Sequence, residues 1–152
     1  MNFQKLCLFV FICLLHCAFF FAFPDEAGAG GYFLVDGVGL EGQLEVGGPV
    51  PKSAPGGAPD GQWHPFPHAR SPLKFKAADG IVVMIMCDSN CLTNRNISIG
   101  SQLKQVYWRY GKPLEKKALK DKPFLVYNGV GFLMDSKGER VEAIYIFPHF
   151  KK

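Results

Sequence analysis

Between Leu103 and Tyr110 the apolar side chains recur at a helical interval. Leu103, Val106, Tyr107 and Tyr110 stand at i, i+3, i+4 and i+7, which predicts a short helix over residues 101–110 with one buried stripe. Ser101 can cap its start through the hydroxyl, Gly111 can end it in a left-handed conformation, and Pro113 bars its resumption. A helix this short is not stable alone, so its stripe must pack on other elements. Elsewhere the pattern changes to that of strands. Residues 73–77 and 81–86 flank Asp79-Gly80, a favoured hairpin turn. Residues 81–86 are apolar at every position, as expected of a strand central in its sheet or covered on both faces. Residues 124–127, the Asn128-Gly129 turn, and residues 131–135 and 140–147 read as a meander.

The later part of the chain therefore orders helix, strand, strand, strand. Residues 42–49 followed by the 73–86 hairpin repeat part of that order with the helix much reduced. The expected fold class is α+β: a short helix packed on an antiparallel β-meander, in degenerate tandem repeat. The expected division is 1–29 as a signal peptide, 30–92 as the first unit with a Pro/Gly-rich loop at 47–67, and 93–152 as the second unit.

Composition sharpens two of these expectations. Residues 6–23 contain no Asp, Glu, Lys or Arg and follow Lys5; Ala27-Gly28-Ala29 comes just after them. This is a charged, then apolar, then small-residue order, the order of a secretory signal cleaved near Ala29. The same run is long enough to serve as a retained membrane anchor. Export removes Cys7, Cys13 and Cys17 and leaves Cys87 and Cys91 in an oxidising compartment, where a structural disulfide is the favoured reading. Charge divides unevenly. Residues 30–92 carry 4 Lys/Arg against 6 Asp/Glu, whereas residues 93–152 carry 12 against 5, a balance of +7. The basic half favours a partner with an acidic surface. Lys112, Lys116, Lys117, Lys120 and Lys122 are read as crowding one polar loop.

A family resemblance follows from particular residues. Asn96-Ile97-Ser98-Ile99-Gly100-Ser101-Gln102-Leu103-Lys104-Gln105-Val106 and Tyr110-Gly111-Lys112-Pro113 are joined by Tyr127, Gly129, Val130-Gly131-Phe132 and the closing run 141–147. Together they resemble the repeat of SmpA/BamE-like proteins and the related β-lactamase-inhibitor-protein fold, over about 55 residues from Asn96 to Pro148; residues 37–86 match weakly. The resemblance implies an exported or envelope-associated protein without catalytic residues, which presents a sheet face or loops to another protein. Its motif consists of packing and turn residues, which specify fold more than function.

Motifs for chemistry are few. No Gly-rich phosphate loop, Gly-x-Ser-x-Gly elbow or His-Glu-x-x-His occurs, so no catalytic residue, metal site or cofactor is expected. His64 and His68 stand four apart, but Pro65 and Pro67 prevent the helix that would align them. Trp108 lies about 140° around the helix from Leu103, outside the buried stripe. With Lys104, Arg109 and Lys112 it forms a candidate partner-binding anchor; covered by the proline-rich loop or by the first unit, it would be packing instead. The expected function is an exported, non-enzymatic module that binds another envelope or secreted protein. Nucleic acid is not an expected partner, and membrane contact is expected only if the N-terminal segment is retained. The alternative is a small secreted enzyme or metal-binding protein using the 63–68 loop.

Overall fold

In the computed structural model, residues 31–52, 54, 60–67 and 70–150 are described. The proposed signal segment and His68 lie outside them. Eleven strands and one helix occur among the described residues: β1 (Tyr32–Leu34), β2 (Gly39–Leu40), β3 (Leu44–Glu45), β4 (His64–Phe66), β5 (Leu73–Ala78), β6 (Ile81–Cys87), β7 (Cys91–Thr93), α1 (Leu103–Tyr110), β8 (Glu115–Leu119), β9 (Lys122–Val126), β10 (Val130–Met134) and β11 (Val141–Ile146). Seven of the strands form one antiparallel sheet in the order β4-β5-β6-β11-β10-β9-β8. The strands β1 and β7 pair in parallel, and β2 and β3 form a short antiparallel ribbon.

The expected fold class is corrected by this sheet. The protein is mainly β, with one short helix among the described residues, and is not a tandem of helix-on-meander units. The physical reason lies in β6 and β11. Ile144, Tyr145 and Ile146 pair with Cys87, Met86 and Ile85, so the early hairpin joins the later meander edge to edge. Strands from both sides of residue 93 thereby share one hydrogen-bonded surface. With β5 on its other side, β6 is central, as one reading of its apolar run expects, while Ile81 and Val83 on one face stay exposed.

One sheet face carries the main core. Leu73, Phe75, Val82, Ile85, Phe132 and Ile144 are buried there with Val106 of α1. Leu103, Tyr107 and Tyr110 pack against the same cluster, so the i, i+3, i+4, i+7 stripe faces the sheet. Burying each such side chain contributes roughly 1.5–3 kcal/mol against leaving it exposed. The opposite face carries a smaller cluster of Leu133, Ala143 and Tyr145, flanked by Trp63, Met84, Met86 and Phe124.

Local signals explain the connections. Asp79 and Gly80 both take positive φ, 52° and 75°, and close the β5–β6 hairpin. The start of α1 differs from expectation, because Gln102 and not Ser101 is the N-cap residue. The Ser101 hydroxyl is engaged one turn earlier, accepting a 3.0 Å bond from the Ser98 N–H. The Gln105 side chain instead accepts the Gln102 N–H at 2.7 Å. At the other end Gly111, at φ 75°, donates its N–H to the Tyr107 carbonyl.

The lysine-crowded segment also differs from expectation. Residues 115–119 and 122–126 form the β8–β9 hairpin rather than a loop. Its two-residue turn is Lys120-Asp121, with φ of 52° and 61°. Neither residue is the glycine that usually announces such a turn.

Candidate functional site

Because α1 buries one stripe, it must present the other to solvent. Trp108 is 76% exposed, the highest value among the large hydrophobic residues of the described chain that stand open. The Arg109 guanidinium sits 4.3 Å from its ring centroid, in cation–π geometry. Lys104 is exposed one turn earlier, and Lys112 is exposed just beyond the helix end. The structure thus brings Trp108 and Arg109 into contact and places the two lysines in separate depressions. Lys104 borders an open depression with Lys137, Glu139 and Arg140, and Lys112 borders another with Tyr107, Pro113 and Lys116.

Sequence reasoning missed part of this second depression. Lys116 of β8 holds its ammonium 5.5 Å from the Tyr107 ring centroid, which ties the sheet edge to the helix end. Leu114, between them in sequence, is 67% exposed. The only sequence signal was lysine density, which does not separate an edge strand from a loop.

A second constellation lies under the inner side of α1. Asp36 is buried; its carboxylate accepts a 2.9 Å bond from the Tyr110 hydroxyl and faces the Arg95 Nε at 3.4 Å. The Arg95 guanidinium also lies 4.8 Å over the Tyr110 ring. Burial raises the Asp36 pKa above the ordinary carboxylate value, against the lowering effects of the Tyr110 bond, Arg95 and His149. Burial likewise raises the Tyr110 hydroxyl. Tyr127, desolvated beside it and donating to the Gly111 carbonyl at 3.1 Å, is pushed up to about 12. Among the described residues no buried side-chain nitrogen or oxygen lacks a hydrogen-bond partner. This network therefore joins the N-terminal strands to the helix end as a satisfied internal tie.

The remaining predicted residues are placed as follows. Cys87 ends β6 and Cys91 begins β7, with Cα atoms 6.4 Å apart and the sulfurs paired, a Cα separation within the disulfide range. His64 lies in the edge strand β4, tilted against Phe75 with ring centroids 5.5 Å apart. Among the described residues no group of three or more His, Cys, Asp or Glu could hold a metal ion. Among them, too, no helix is long and apolar enough to cross a membrane. Compared with protein-family models, curated proteins and solved structures, the chain matches none.

Proposed function

We propose that this protein is a non-enzymatic binding module that recognises an acidic protein surface through the outer face of α1. The observation that carries the reading is Trp108, 76% exposed and flanked by the Arg109 guanidinium. An aromatic ring of this size loses water favourably on contact, and an adjacent arginine adds directional pairing to carboxylates. Lys104 and Lys112 extend the positive field on either side, which speeds encounter with an acidic partner. The sheet positions this face by holding Val106 and its neighbours in the core, so the anchor sits on a rigid element.

We further propose that the module acts after export, in the envelope or outside the cell. The apolar run at 6–23 and a cysteine pair suited to an oxidising compartment support this. The experiment is affinity capture with the tagged protein from the source envelope or medium, using wild type and a Trp108→Ala, Lys104→Ala variant. The wild type should retain a partner that the variant loses while its circular dichroism is unchanged. Equal recovery by both would overturn the reading.

A further inference from the structure

We propose that the free edge of β8 accepts an extended acidic segment of a partner protein as an added antiparallel or parallel strand. The proposal rests on the protein-binding reading above and names the form of the ligand.

The seven-stranded sheet has two edges that differ in chemistry. At one, β4 carries Pro65, and Pro67 follows it immediately. Proline has no N–H to offer a ladder, so this edge is blunted. At the other, among the described residues, β8 pairs only with β9. The two-residue Lys120-Asp121 turn makes Leu119 and Lys122 a hydrogen-bonded pair, and alternation makes Lys117 with Phe124 the next. Lys116 and Ala118 therefore aim their N–H and C=O groups away from the sheet. Among the described residues, no backbone hydrogen bond outside the ladder engages either of them. Both side chains are exposed.

The side chains around this edge select the occupant. Lys116 and Leu125 are register partners, and Leu125 belongs to the core on the helix side. An added strand would thus project alternate side chains over the depression lined by Tyr107, Gly111, Lys112, Pro113 and Lys116. Among the described residues neither Lys112 nor Lys116 has a carboxylate partner, whereas Lys117 on the opposite face is 2.9 Å from Glu115. Acidic side chains at alternate positions of the incoming strand would meet those two ammonium groups. A second copy of this chain is a poor occupant, because strand-to-strand pairing of β8 with itself sets lysine against lysine. Backbone pairing at a sheet edge with charge-selected alternate side chains is an established mode of peptide recognition.

The test uses the isotope-labelled full chain and a short peptide alternating valine with glutamate, with a valine–lysine peptide as control. Amide exchange is read by NMR. The glutamate peptide should slow exchange at Lys116 and Ala118, and the lysine peptide should not. Ala118→Pro, which removes one outward N–H, should weaken peptide binding at least about tenfold, and Ala118→Ser should leave it intact. Binding with both amides still exchanging fast would overturn strand addition while leaving the α1 anchor standing. Protection that instead appears without peptide, rising with protein concentration, would show self-pairing and also overturn it. Slowed exchange at both amides that survives Trp108→Ala would support the strand site and count against the helix anchor.

Discussion

The Tyr110 hydroxyl, at the last residue of α1, donates a 2.9 Å hydrogen bond to the buried carboxylate of Asp36, 74 positions earlier in the chain. The bond couples the helix end to the segment that follows β1. Removing it by Tyr110→Phe keeps the ring contacts with Phe132 and Tyr127, at 5.0 and 5.2 Å. It leaves a buried carboxylate with one partner fewer. We expect a loss of about 1–3 kcal/mol in urea unfolding. An unchanged midpoint would show that water replaces the hydroxyl.

Asp36 also sets a pH dependence. Its pKa is raised by burial, so the folded protein holds the proton more readily than the unfolded chain. The corresponding stability is fully present below the ordinary carboxylate value, about 3.9, and is lost as pH rises through the raised value. Asp36→Asn cannot titrate. The stability of wild type minus that of the variant should therefore fall between acid and neutral pH. Denaturant midpoints across that range are the measurement, and a difference that grows with pH would contradict the assignment.

Gly131 sits in β10 under the Phe124 ring, and a Cβ there would run into the ring's Cζ atom. Phe124 in turn packs edge-on to Tyr145 at 5.2 Å. Gly131→Ala should displace this aromatic group on the sheet face away from α1 and cost about 1–3 kcal/mol. Thermal unfolding with near-ultraviolet circular dichroism reports both effects. A native spectrum and midpoint would mean that the ring moves freely.

Trp108 should behave in the opposite way. Being mostly exposed, it contributes to the fold chiefly through Arg109, so Trp108→Ala should change stability by no more than about 1 kcal/mol. A larger loss in urea unfolding would identify it as a packing residue rather than an anchor.

Cys87 and Cys91 should resist alkylation in the unreduced folded protein and react after reduction. The bridge closes a short loop, so Cys87→Ser with Cys91→Ser should cost no more than about 2 kcal/mol. Free labelling of both thiols in protein isolated under non-reducing conditions would exclude the pairing.

Much of the local structure was legible along the chain. The α1 stripe has a helical period, and Asp79-Gly80 and Gly111 stand where positive φ is required. Such signals depend on neighbours a few residues apart, which the sequence displays directly. β8 was not legible, because Glu115, Lys116 and Lys117 show no apolar alternation and Lys120-Asp121 lacks glycine. An edge strand exposed along its length buries too little to leave a pattern.

By itself the sequence determined the period of α1 and the strand character of the β5–β6 hairpin and of the meander after Asn128-Gly129, the place of Trp108 outside the buried stripe, and the charge of the later half. Only the tertiary structure decided that β6 pairs with β11, which merges the early hairpin and the meander into one sheet. It alone brought Arg95 and Tyr110 to Asp36, and Lys116 to Tyr107. The physical reason is that hydrogen-bonded strand edges have no residue code of their own. Which edges meet is settled by the shared burial of side chains far apart in sequence, and that burial also determines which edge is left open.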